Sequence, residues 1–143
     1  MKPIVYLETS VISYLTARPS RDLIVAAHQL LLHEWWDKIQ PQVECVVSPF
    51  VLEEIAKGDK QAARRRLELV ANLVALPHND EIEQLAHRYF TALQIPEKSK
   101  LDAFHLAIGV WHQVDYILSW NCSHIVNTRA RTILQAINSQ LGL

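Results

Sequence analysis

The stretch Pro3-Ile4-Val5-Tyr6-Leu7-Glu8-Thr9-Ser10 decides how the rest of the chain is read. A short, continuous apolar run closed by polar residues is the pattern of a buried strand. Thr9 or Ser10 is then placed to cap a short helix over residues 11–15. The acid between strand and cap is the unusual element, because Glu8 follows directly on a buried run.

Working outward, residues 16–20 form a polar loop, and residues 21–39 carry Leu23, Ala26, Ala27, Leu30 and Leu31 at helical spacing, with Trp35 and Trp36 beyond. Residues 43–47 are a second strand. Ser48-Pro49 opens a helix, with serine as cap, proline in the first turn and Gly58 just past the end. A charged helix over 60–72, a brief strand over 73–76 and an amphipathic helix over 80–93 follow. Pro96 interrupts the pattern, Ser99 caps an apolar helix from 100 to about 112, residues 115–119 are a strand, and a last helix spans 128–140. Short strands alternating with helices predict an α/β protein, a three-layer α/β/α fold with a short, mainly parallel sheet. No composition break or repeat divides residues 1–143, so one domain is expected.

At 143 residues the chain has the length of one ordinary domain. Such a domain buries roughly 68–70% of the surface its unfolded chain exposes, enough for a core without staples. Half the residues are hydrophobic and 20% are charged, which excludes a disordered chain. Three scattered glycines remove both the dinucleotide fingerprint and the phosphate loop. Cys45 and Cys122 cannot build a disulfide framework and fit a reducing compartment. No apolar run has the length of a membrane span, and the start lacks the long apolar core of a signal peptide, so a cytoplasmic protein without membrane attachment is expected. With 14 Lys and Arg against 15 Asp and Glu, the net charge is −1. A nucleic-acid site must therefore be a local patch or use metal ions.

In an open parallel sheet, ligands sit beyond the carboxyl ends of the strands. Glu8 lies there after the first strand, Glu53 and Glu54 on the helix after the second, and Asn121 after the last, while Asp102 sits in the first turn of the helix over 100–112. Buried carboxylates repel one another unless a cation neutralises them. Hard oxygen ligands select Mg²⁺ or Mn²⁺, and such ions activate water for phosphoryl displacement. Simpler roles also fit the spacing. Asp102 completes Ser99-Lys100-Leu101-Asp102, which resembles a capping box, and Glu53 with Glu54 fits a solvated helix face.

Four segments, Val5-Tyr6-Leu7-Glu8-Thr9-Ser10-Val11-Ile12, Ser48-Pro49-Phe50-Val51-Leu52-Glu53-Glu54-Ile55, Asp102-Ala103-Phe104-His105-Leu106-Ala107 and Tyr116-Ile117-Leu118-Ser119-Trp120-Asn121, stand in an order and spacing that resembles the PIN-domain nucleases, especially the VapC-type toxins of toxin–antitoxin pairs. The resemblance spans essentially the whole chain. It implies RNA cleavage with Mg²⁺ or Mn²⁺ held by three or four acids. Glu8 then matches the first acid, Glu54 the second and Asp102 the third, and Thr9 or Ser10 matches the hydroxyl that helps hold the site. Asn121 stands where many members carry a fourth acid. Two departures follow: Glu8 is one methylene longer than the usual Asp, and Asn121 lowers the negative charge offered to a second ion. The resemblance also implies a homodimer and an antitoxin whose segment covers the acidic site.

Other residues are read from their own chemistry. His105, three residues after Asp102 on one helix face, is expected to be a core histidine or to orient Asp102. Cys122 and His124 with His105 or His112 are the residues of a possible transition-metal site, and His124 is also a candidate phosphate contact. Arg64, Arg65 and Arg66 form a basic run, either a solvated face or a contact to a phosphate backbone, which Arg129 and Arg131 could share. Any of the four tryptophans could stack a base, and the Trp35-Trp36 pair suggests a subunit interface. Three functions are therefore carried forward: a Mg²⁺- or Mn²⁺-dependent endoribonuclease of the toxin type, a PIN-like module that binds RNA or protein with little or no nuclease activity, and a Cys/His transition-metal hydrolase.

Overall fold

A computed structural model describes residues 1–120 and 136–143 of the chain. The order is β1 (Ile4–Leu7), α1 (Thr9–Thr16), α2 (Leu23–Lys38), β2 (Glu44–Val47), α3 (Pro49–Ile55), α4 (Lys60–Val70), β3 (Val74–Ala75), α5 (Asp80–Ala92), α6 (Lys100–Trp111) and β4 (Tyr116–Leu118), with single 3₁₀ turns at Gln40–Gln42 and Glu97–Ser99. The four strands pair in the order β3-β2-β1-β4. Every pairing is parallel, with Val5 opposite Cys45 and Tyr116, and Val46 opposite Val74. This is the α/β class with a short parallel sheet expected for a three-layer α/β/α fold.

Strands buried on both faces read as continuous apolar runs. That is why Val5, Tyr6 and Leu7 in β1 and Cys45, Val46 and Val47 in β2 are all buried. Asp115 closes the near end of the β1–β4 pair, because its carboxylate accepts from the Ile4 amide at 2.7 Å and its own amide donates to the Ile4 carbonyl at 2.9 Å.

The contacts divide into two compact units, one of Met1–Leu76 with Val114–Trp120 and one of Pro77–Gln113 with Asn121–Leu143. The sheet and α1 to α4 belong to the first. In the second, α5 buries Ile82, Leu85, Ala86 and Tyr89, one face of the helix, and α6 buries Ala103 through Ile108. The Tyr89 hydroxyl donates to Asn138, and Arg88 donates to Gln140 at 2.9 Å. Of the expected last helix, residues 136–141 are helical and the remainder lies outside the described residues.

Three local expectations are corrected. Helix α1 begins at Thr9 with Glu8 as its cap, because the Glu8 backbone is still extended and its carboxylate accepts from the free Ser10 amide. Ser99 sits in a 3₁₀ turn with ψ 18° and makes no side-chain capping bond to α6. Helix α2 is turned the other way from its apolar spacing: Leu23, Ile24, Leu30 and Leu31 are exposed, while Gln29 and Leu32 are buried. Gln29 is buried because it serves the preceding loop, accepting from the Ser20 amide at 2.9 Å and donating to the Arg18 carbonyl at 3.0 Å.

Candidate functional site

Glu8 is the last residue of the β1 line, its amide donating to the Leu118 carbonyl of β4 at 3.1 Å. The chain turns there into α1, so the side chain lies over free helix amides at the carboxyl edge of the sheet. Its carboxylate accepts from the Ser10 amide at 3.1 Å on Oε2, and from the Ser10 hydroxyl at 2.5 Å and the Ser119 hydroxyl at 2.6 Å on Oε1. Glu8 is only 7% exposed, and three donors offset the cost of burying its charge. The Ser10 hydroxyl also accepts from the Trp120 amide at 3.0 Å, which ties the end of β4 to the same point.

Glu54 arrives from the neighbouring strand. Ser48 ends β2 and caps α3, accepting from the Val51 amide at 3.2 Å and sharing a 2.7 Å hydrogen bond with the Tyr6 hydroxyl. Along α3, Glu53 is exposed and Glu54 is half-buried. Glu54 Oε1 accepts from the Thr9 hydroxyl at 2.7 Å. The first turn of α1 thus holds both carboxylates, Ser10 on Glu8 and Thr9 on Glu54. The Tyr6 phenol is pushed well above the usual range, chiefly by burial, which the Ser48 hydrogen bond opposes and to which the negative charges of Glu8 and Glu54 add smaller upward effects.

Asp102 lies in the first turn of α6, half-buried, and His105 is buried one turn on, both in the second unit. Among the described residues, no three His, Cys, Asp or Glu side chains gather in a group that could hold a metal ion. Asn121, Cys122, His124, Arg129 and Arg131 lie outside the described residues. In the basic run, Arg64 and Arg65 are exposed. Arg66 has a structural task, donating to the Ile55 carbonyl at 2.9 Å and the Lys57 carbonyl at 2.7 Å at the end of α3. Burial pushes the Cys45 thiol up to about 11, so it is neither a ready nucleophile nor a ready metal ligand at neutral pH.

Comparison of the chain with protein-family profiles, characterised proteins and solved structures gave no significant match. Two participants escaped the reading of the sequence. Ser119 carries a visible signal, a hydroxyl one residue past an apolar strand, and the Tyr6–Ser48 pair carries none, since nothing in the spacing links a strand tyrosine to a helix cap 42 residues away.

Proposed function

We propose that this chain is a Mg²⁺- or Mn²⁺-dependent endoribonuclease, the toxin of a toxin–antitoxin pair acting in the cytoplasm. The observation that supports it is the holding of Glu8 and Glu54 by adjacent residues of one helix turn at the carboxyl edge of a parallel sheet. Their donor chemistry fits the ion, because Mg²⁺ is commonly bound through one or two carboxylates plus substrate phosphate, with water filling the rest. Glu8, Glu54 and Asp102 would hold it, with Asn121 completing the set. When bound, the ion would supply charge neutralisation and activation of the attacking water.

The chain's own residues prepare this site. Ser10 and Ser119 fix the Glu8 rotamer, and Thr9 fixes that of Glu54. A cleft of about 280 Å³ lined by Ser13, Thr16, Arg18, Asp59, Arg65 and Arg66 lies at the other end of α1. Eight helical residues separate the two ends, roughly 12 Å at 1.5 Å per residue. In its lining Arg18, Arg65 and Arg66 stand against Asp59, a local cationic patch of the kind that a net charge of −1 requires of an RNA-binding protein. The exposed apolar face of α2, with the half-buried Trp35-Trp36 pair at its end, suits a homodimer or antitoxin contact.

One observation favours a second reading, a PIN-like binding module with little or no nuclease activity. The Glu8 carboxylate already accepts three hydrogen bonds, which suffices for a purely structural cap. Cleavage of single-stranded and structured RNAs in Mn²⁺ separates the two. Under the nuclease reading, Glu54→Gln and Asp102→Asn each lower the rate at least about a hundredfold, in line with loss of a metal-held charge. Equal cleavage by wild type and both variants would remove these acids from the chemistry, and no cleavage or metal uptake by wild type favours the module.

A further inference from the structure

We propose that Trp120 is a stacking platform for one unpaired base of the RNA strand, at the lip of the Glu8 site; the inference rests on the ribonuclease reading above. The Trp120 indole lies parallel to the His28 imidazole of α2, with ring centroids 3.9 Å apart and planes 6° from parallel. Tyr14 of α1 flanks both, 6.5 Å from Trp120 and 6.2 Å from His28. Two hydrogen bonds in series join this cluster to the acid: the Trp120 amide donates to the Ser10 hydroxyl, and that hydroxyl donates to Glu8 Oε1.

Two features argue that the stack is more than packing. Trp120 remains 36% exposed although His28 covers one face of the ring. His28 Nδ1 is buried without a hydrogen-bond partner, a cost that makes the pair a poor choice for stability alone. An indole already fixed in orientation loses little further freedom when a base lies on it. Because every base has a π-face, such a platform tolerates sequence, and it holds the strand while the phosphate sits at the acids.

Binding of a single-stranded RNA decamer in Mg²⁺, in the E54Q background whose cleavage is slowed, tests the proposal. Trp120→Ala should weaken binding about five- to a hundredfold, as expected for loss of one base–aromatic stack, and Trp120→Phe should keep it within about threefold. Decamers carrying one abasic nucleotide, moved position by position, add the decisive readout. At the stacked position the abasic substitution should weaken the parent, and Trp120→Ala should then cause no further loss. Equal loss by Trp120→Ala at every position, abasic or not, would assign Trp120 to folding or to a protein contact and overturn the proposal, as would no loss at all. Wild-type cleavage of RNA without this coupling overturns the platform alone. Absence of both RNA binding and cleavage overturns the platform together with the nuclease reading.

Discussion

Glu8 concentrates several demands in one side chain. It ends a strand, caps a helix, accepts two hydroxyls and stands beside Glu54. One carboxylate reaches both the Ser10 amide and, across the sheet edge, Ser119. Ser119→Ala should therefore cost about 1 kcal/mol of stability, the usual worth of one hydrogen bond, measured as a lower urea midpoint at unchanged slope. Cys45 gives a second test at this scale. Burial raises its thiol pKa to about 11, so the folded protein holds that proton when the unfolded chain has lost it. Its stabilising effect is complete below about pH 9 and is lost as pH climbs toward 11. A thiol reagent at pH 8 should label native Cys45 at least about a hundredfold more slowly than urea-unfolded protein, and equal rates would mean that the site opens freely.

At the scale of elements, the strands were legible because buried parallel strands leave continuous apolar runs, and the helix at Pro49 because serine, proline and Gly58 mark its limits. Gly58 takes φ +87°, the left-handed turn that lets α4 start straight after α3. The orientation of α2 was not legible. Periodicity reports that an apolar stripe exists and says nothing of which way it faces, and here the inward side is claimed by Gln29 bonding to its own loop. Asp102 and Glu8 could be nominated by position, whereas the hydroxyls that hold Glu8 depend on a strand pairing that no local pattern encodes. The arginine run was legible as charge only. Arg66→Ala should lower stability by about 1–3 kcal/mol, since it removes two charge-assisted bonds to carbonyls at the end of α3. Arg65→Ala should leave stability within about 0.5 kcal/mol and, under the ribonuclease reading, reduce the salt dependence of RNA binding, with a slope smaller by about 0.7 for a single strand. An unchanged slope would take Arg65 off the RNA path.

For the whole molecule, Leu23, Leu30 and Leu31 of α2 are an apolar row that the described residues leave uncovered. Wild type should sediment at twice its formula mass at micromolar concentration, and Leu30→Lys combined with Leu31→Lys should shift it to the monomer. A wild type that sediments as a monomer would free this face for a different partner.

The hydroxyl bracing of Glu8 also sets a timetable. Ser119 and Glu8 are 111 residues apart, and the whole run from Pro77 to Gln113 is inserted between β3 and the strand that delivers the serine. A ribosome adding about 5–20 residues each second needs roughly 5–20 s to make the intervening chain. The nascent protein therefore carries Glu8 for that interval without its second hydroxyl, and the bracing of this carboxylate is completed only late in synthesis.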